Sequence, residues 1–162
     1  MNEQPYKSIA EELQMSSFIN DFQKAYLNLL FTANWYSVAI QKALKKHGLT
    51  NAQYNVLRIL RGHQPVTMSA MDIQSRMIYS NSNVSRILEK LLEKGLIVSM
   101  ACPENRRRNN VSITEDGLAM LERCEPIPLM IFEKMSVVIS EKEAGILNNI
   151  LEKLRQCNLD LS

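Results

Sequence analysis

The sequence predicts a mainly α-helical fold that carries one small β-hairpin. Apolar residues recur at spacings of three and four over most of the chain, which is the helical period. Two short β-like runs at 96–101 and 110–114 flank an arginine-rich loop and indicate the hairpin. With 162 residues, 46% hydrophobic and 22% charged, the chain has the size and composition of one soluble globular domain.

The first helix is predicted to be long, because Tyr6 to His47 contains neither Pro nor Gly. Its middle, from Ala25 to Gln41, carries no charge but is too polar for a membrane span, which indicates a buried helix. More than one of its sides should therefore be covered. A partner subunit could supply that cover.

Turn and capping signals divide the next part of the chain. Gly48 ends the first helix, and Thr50 with Gln53 forms a capping box for the second. A short third helix starts near Thr67 or Ser69 and directs Ala70, Ile73 and Met77 inward. After a polar break at 80–83, the fourth helix has Val84, Ile87, Leu88 and Leu91 on one side and polar residues on the other.

Gly95 ends the fourth helix, and the hairpin follows at once. Thr114 is then a predicted N-cap for another helix, which Pro126 and Pro128 interrupt or kink. The last helix opens with a capping box and carries an amphipathic stripe: Ser140 with Glu143, then Ile146, Leu147, Ile150, Leu151, Leu154 and Leu161.

Two short helices joined by a polar turn and followed by a basic-tipped hairpin describe a winged helix-turn-helix with long terminal helices. Between Arg76 and Val111 there are seven basic and three acidic residues, whereas the whole chain has a net charge of only +2. A locally basic segment of this kind is typical of a face that binds a polyanion such as DNA.

The sequence resembles the MarR family of bacterial transcriptional regulators. The matching segments are 49–54 at the second helix, 83–97 at the recognition helix, and Arg107 with 111–117 at the wing. The resemblance implies a single domain over 1–162, with dimerisation helices at 8–47 and 126–162 and a DNA-binding region at 49–123. It also implies a homodimer, most simply a repressor, on an inverted-repeat operator of double-stranded DNA.

The predicted DNA contacts lie on the fourth helix and the wing. Ser80 is predicted to cap the N-terminus of the fourth helix. The short polar side chains are predicted to contact base edges, and the arginines to contact phosphates or a groove. Alternatively, these residues are only a solvated helix face and loop tip. The full set is Ser80, Asn81, Ser82, Asn83, Ser85, Arg86, Lys90, Arg106, Arg107 and Arg108.

The resemblance further implies a cleft for a small aromatic or phenolic effector, with Trp35, Tyr36, Tyr54 and Met71 as candidate lining residues. Aromatic and methionine residues at helical spacing are also typical of a core, so both interpretations stay open. Loss of DNA binding, which would leave a protein-interaction module, is a separate alternative.

Other chemistry has little support in the sequence. His47 and His63 lack ligand partners at metal-binding spacing, and no cofactor or enzyme motif occurs, so we expect neither a metal nor a cofactor. The N-terminus lacks a secretion signal, so we expect a cytoplasmic protein. The three cysteines are widely separated. Cys102, beside the wing arginines, could act as a redox sensor, which is a third alternative.

Overall fold

The computed structural model describes residues 6–79, 83–101 and 109–157. Within these residues the chain is mainly α-helical with a small antiparallel sheet, which confirms the predicted fold class. The elements are α1 (Ile9–Leu13), α2 (Asp21–Lys45), α3 (Asn51–His63), β1 (Met68–Ser69), α4 (Ala70–Arg76), α5 (Val84–Glu93), β2 (Ile97–Ala101), β3 (Asn109–Ile113), α6 (Glu115–Cys124), α7 (Pro126–Val138) and α8 (Glu141–Leu154).

Side-chain caps start α3, α6 and α8 where the sequence predicts them. Thr50 Oγ1 accepts the N–H of Gln53 at 3.2 Å, and Gln53 Oε1 accepts the N–H of Thr50 at 3.1 Å. Ser140 and Glu143 form the same reciprocal pair at α8, and the Thr114 side chain caps α6. Each cap satisfies backbone N–H groups that the first helical turn leaves without partners.

The predicted single helix from residue 6 to 47 is wrong. It divides into α1 and α2 around a segment in which Gln14 adopts a left-handed φ of 53°. Asn20 then opens α2, since its side chain accepts the N–H of Gln23 at 2.9 Å. Serines at 16 and 17 and Asn20 bond readily to nearby backbone, so they favour caps and turns over helix interiors.

The sheet has the order β1-β3-β2, and both pairings are antiparallel. Ile97 pairs with Ile113 in the predicted hairpin, whereas Met68 pairs with Val111 in a strand that was not predicted. A two-residue strand is too short to show an alternating pattern in the sequence. This pairing joins the start of α4 to the base of the hairpin.

The hydrophobic core surrounds α3, which contacts α2, α4, α5, α6 and β3. Leu57, Ile73, Leu91, Ile97 and Leu121 are almost completely buried there. The core therefore lies in the central part of the chain. The predicted interruption near Pro126 is confirmed, because α6 ends at Cys124 and α7 begins with Pro126 in its first turn, where a missing N–H is tolerated.

The terminal helices keep much of their apolar surface exposed. In α2 only Leu44 is buried, so the predicted burial of its uncharged middle does not occur within one chain. In α8, which is described in full, no residue is buried. The exposed apolar residues of α2, α7 and α8 include Phe22, Tyr26, Leu29, Leu30, Phe132, Val137, Val138, Ile146, Leu147, Ile150 and Leu154. An apolar surface of this extent is typical of an interaction site.

Gly117 lies where α6 approaches the strands most closely. A Cβ at this position would overlap the carbonyl oxygen of Leu96 and lie 2.6 Å from Cγ1 of Ile113. Gly117→Ala is therefore expected to lower the free energy of unfolding by about 1–3 kcal/mol through overpacking. Urea denaturation followed by circular dichroism measures the change.

Gly145→Ala in α8 is the matched control, because a Cβ there meets no atom within 4 Å. This substitution should leave the free energy of unfolding unchanged or raise it by up to about 1 kcal/mol, since alanine favours a helix. If Gly117→Ala and the wild type unfold at the same urea concentration, the close packing of α6 is contradicted.

Candidate nucleic-acid interface and adjoining cleft

Helix α5 has one face in the core and one face outward. Val84, Leu88 and Leu91 are buried, as their spacing predicts. The exposed residues of its first two turns are Ser85, Arg86, Glu89 and Lys90. Because the buried face fixes the rotation of the helix, these polar side chains point away from the protein.

Asn83 is the N-cap of α5, since its Oδ1 accepts the N–H of Arg86 at 3.1 Å. The assignment of this cap to Ser80 is therefore wrong, because the capping side chain must come from the residue directly before the helix. The cap occupies Oδ1 of Asn83 and so fixes the orientation of the whole side-chain amide, including its N–H groups. Ser80, Asn81 and Ser82 lie outside the described residues.

The charge on α5 is mixed. Lys90 Nζ lies 2.8 Å from both carboxylate oxygens of Glu93, and both side chains are about half exposed. An exposed pair of this kind contributes little to stability, so Lys90 can exchange Glu93 for another anion. Within α5, Glu89 and Glu93 balance the charges of Arg86 and Lys90. Most of the net positive charge between residues 76 and 111 therefore comes from Arg106, Arg107 and Arg108, which lie outside the described residues.

The turn that precedes α5 is connected to α2 and α3 by hydrogen bonds. The N–H of Ile78 donates to Oδ1 of Asn55 at 3.0 Å, and the Tyr79 hydroxyl lies 3.1 Å from Oγ of Ser37. Asn51 Nδ2 donates to Oγ of Ser37 at 2.9 Å and to its carbonyl oxygen at 3.0 Å. A shift of α2 relative to this turn must therefore break side-chain hydrogen bonds.

A cleft of about 470 Å³ opens beside these hydrogen bonds, between α2, α3, the 78–79 turn and α7. α3 contributes its polar wall, and α2 and α7 contribute mainly apolar residues. The lining consists of Ile40, Asn51, Tyr54, Asn55, Arg58, Ile59, Ile78, Tyr79, Ile127, Pro128, Ile131 and Phe132. Mostly apolar clefts with a few polar groups are typical small-molecule sites.

Of the four candidate effector residues, Tyr54 lines this cleft and the other three do not. Trp35 is 60% exposed and packs edge-on against Tyr36, with ring centroids 4.9 Å apart. Met71 is 69% exposed and lines a separate groove beside α5. The alternative interpretation, in which these residues belong to the core, is also wrong for Trp35 and Met71, because both are largely exposed. Trp35 is about 140° around α2 from Ile40, which does line the cleft, so the helix turns it away.

Arg58 is a cleft residue that the sequence interpretation missed. Its guanidinium carbon lies 5.9 Å from the centre of the Tyr54 ring, which holds the cation over an aromatic face. Asn51, Tyr54, Asn55 and Arg58 share one face of α3 at spacings of three, four and seven. The same periodicity that reveals an apolar stripe could have revealed this polar one.

Other candidate chemistry finds no site in the described part of the chain. Cys102 lies outside it, and Cys124 is a buried core residue whose thiol pKa is raised by burial, which keeps the thiol protonated. Across residues 6–79, 83–101 and 109–157, no cluster of His, Cys, Asp and Glu could hold a metal ion. The helices described there are too short or too polar to cross a membrane.

Comparison with known proteins identifies a family for this chain and solved structures with the same fold. The MarR family model matches residues 49–108. An uncharacterized HTH-type transcriptional regulator of Bacillus cereus is 30% identical over 132 residues, which cover 81% of this chain and 86% of that protein.

Two solved structures share the fold. S. aureus MepR, solved in a complex with DNA, has a TM-score of 0.73 at 22% identity and covers 85% of this chain and 97% of its own. Bordetella bronchiseptica BpsR, whose DNA binding is regulated by 6-hydroxynicotinic acid, has a TM-score of 0.74 at 22% identity and covers 88% and 100%.

The winged helix-turn-helix predicted from the sequence is thus confirmed, with α4 and α5 as the helix pair and β2 and β3 as the wing strands. Proteins of this family regulate transcription and are not enzymes. Since a relative of this similarity aligns over most of both sequences, the chain belongs to the MarR family of DNA-binding transcriptional regulators.

Proposed function

We propose that this protein is a repressor that binds an inverted-repeat operator as a homodimer and leaves it when a small molecule binds. The outward polar face of α5 is the observation that carries the proposal. Ser85 and the amide of Asn83 lie at the N-terminal end of α5, and this end of a recognition helix would contact base edges in the major groove. Arg86 lies on the same face, with an exposed guanidinium for guanine or a phosphate.

The wing arginines and the turn complete the proposed interface. Arg106, Arg107 and Arg108 would follow the DNA backbone or the neighbouring minor groove. Lys90 would exchange Glu93 for a phosphate, and Ser80, Asn81 and Ser82, which precede α5 in the sequence, would contribute further contacts to the DNA.

A second copy of the chain is the proposed cover for the exposed apolar surface of α2, α7 and α8. Residues 8–47 and 126–162 then form the dimerisation region, and residues 49–123 form the DNA-binding region. A two-fold axis would place the two α5 helices about 34 Å apart, one turn of B-DNA, on an inverted repeat. Binding to chromosomal DNA would place the protein in the bacterial cytoplasm.

The cleft is the proposed effector site, because its walls come from both regions. α2 and α7 belong to the dimerisation region, whereas α3 and the 78–79 turn support α5. Tyr54 and the apolar wall suit a small aromatic or phenolic ligand. Such a ligand releases DNA if it favours a spacing of the α5 helices that no longer fits the operator, a coupling of about 1–3 kcal/mol.

Selection of bound fragments from random duplexes tests base reading by Asn83. The wild type should select an inverted repeat and lose affinity steeply as salt rises. Asn83→Ser should keep the salt dependence but change the selected bases, because serine preserves a cap for α5 and removes the amide.

Asn83→Ala is the matched control, since it removes both the cap and the amide and should weaken binding to every sequence. An unchanged base preference for Asn83→Ser contradicts base reading at this position. If the wild type binds no duplex at low salt, the protein-interaction alternative replaces the proposal.

Sedimentation equilibrium tests the dimer through Ile150 of α8, which is 51% exposed in the single chain. Ile150→Glu places a charge in the proposed interface and should shift the protein toward a monomer and weaken operator binding. Val66→Glu is the control, because Val66 is also exposed, at 66%, but lies outside the terminal helices. A wild-type protein that sediments as a monomer contradicts the proposed assembly.

Fluorescence anisotropy on the selected operator tests ligand release. Among 6-hydroxynicotinic acid and a panel of phenols, at least one compound should lower operator affinity by about 5- to 150-fold. Tyr54→Ala should reduce that effect while the affinity without ligand stays the same. A panel that leaves operator affinity unchanged contradicts ligand control and leaves DNA binding in place.

A further inference from the structure

We propose that Glu89 selects a cytosine at one position in each half-site of the operator. Its carboxylate accepts a hydrogen bond from the N4 amino group of that base in the major groove. The inference rests on the proposed placement of α5 in the groove. It adds to that interface a specificity-determining residue that the sequence interpretation omitted.

Glu89 lies in the middle of the outward face of α5, where its side chain is exposed. At about 100° per residue, it is about 40° around the helix from Ser85 and about 60° from Arg86, so it lies between these two directions. The buried residues Val84 and Leu91 are about 140° and 160° away from it. A groove that receives Ser85 and Arg86 therefore receives Glu89 as well.

The position of Glu89 along α5 separates it from the residues of the first turn. Glu89 follows Ser85 by four residues, which is about 6 Å along the helix axis. Successive base pairs of B-DNA are about 3.4 Å apart, so the two side chains meet different base pairs. The base contact of Glu89 is thus an addition to the contacts proposed for Asn83 and Ser85.

The Glu89 carboxylate has no hydrogen bond or ion pair within residues 6–79, 83–101 and 109–157. Lys90 is engaged by Glu93 instead, with its Nζ 2.8 Å from both carboxylate oxygens. Beside α5, Glu89 and Glu93 both line a groove of about 620 Å³, and no basic residue is among the lining residues of that groove. Both oxygens of Glu89 are therefore available to DNA.

A free carboxylate at this place restricts which bases α5 accepts. Facing DNA, it is repelled by the phosphates and loses its water, so it weakens binding unless a base supplies a hydrogen-bond donor. In the major groove the donors are the amino groups of cytosine and adenine.

The neighbouring atoms of these two bases distinguish them. Adenine presents its N7 acceptor beside the N6 amino group, and that acceptor repels a carboxylate. Cytosine presents its N4 amino group without a major-groove acceptor of its own. Guanine and thymine present acceptors, which leave the Glu89 charge unpaired. Cytosine is therefore the base that the carboxylate selects.

Selection of bound fragments from random duplexes, followed by fluorescence anisotropy on the selected operator, tests the inference. The wild type should select cytosine at one position in each half-site. Replacing that C·G pair by T·A in one half-site should weaken binding of the wild type by about 5- to 150-fold. Glu89→Ala should bind both duplexes equally. Glu89→Gln should select adenine at that position alone, because the glutamine amide bonds to both N6 and N7 of adenine.

Glu93→Gln is the matched control, because it removes a second carboxylate of α5 whose charge Lys90 already balances. This variant should select the same cytosine as the wild type. The same base preference in Glu89→Ala and the wild type overturns the inference, and so does tighter binding of Glu89→Ala to every duplex by one common factor. A wild type that binds no duplex at low salt overturns the proposed function, and this inference with it.

Discussion

The structure depends on the packing of α3, which supports two different surfaces with opposite faces. Val56, Leu57 and Leu60 fill the core beneath the helix pair and the sheet. Asn51 and Arg58 lie on the other face, along the cleft. Since α3 is fixed by a buried apolar face, the polar groups on its outer face have fixed positions. The α3 wall of the cleft is therefore attached rigidly to the core that carries the DNA-binding elements.

Burial is distributed unevenly along the chain. The central elements have a close-packed core, whereas α2 and α8 have one buried residue between them. The terminal helices thus gain little stability from the rest of their own subunit. If a second copy covers these helices, as proposed above, folding of the ends and association of the two chains are thermodynamically linked, and stability then depends on protein concentration.

The sequence predicts those features that depend on local signals. Capping at Thr50, Thr114 and Ser140 and the pairing of β2 with β3 have short-range causes, and the structure contains each of them. The break between α1 and α2 was missed because the absence of Pro and Gly does not guarantee a continuous helix. Strand β1 was missed because only its partner β3 makes those two residues a strand.

The site was predicted less completely than the fold. The outward face of α5 follows from its periodicity, because the buried positions determine which residues remain outside. The cleft depends on the arrangement of α2, α3 and α7, which no local pattern contains. For this reason Tyr54 was found through a family resemblance, while Arg58, one turn further on the same face, was not. Trp35 and Met71 were wrongly predicted to line the cleft for the same reason, since tertiary packing decides which side chains face it.

The connections around α5 determine how the molecule can deform. Lys94, just after α5, donates to the carbonyl oxygen of Gly48, and the Thr114 hydroxyl donates to that of Gly95 at 2.8 Å. The Ser37–Tyr79 contact and the Lys94 bond join α2 and the turn after it to the DNA-binding elements, whereas the Thr114 bond and the β1–β3 pairing hold those elements to one another. The joint at Glu125, where α6 meets α7, has no side-chain cap. A ligand bound between α3 and α7 would press first on α7, and the packing of α7 against α2 would pass that displacement to the Ser37–Tyr79 contact beside α5.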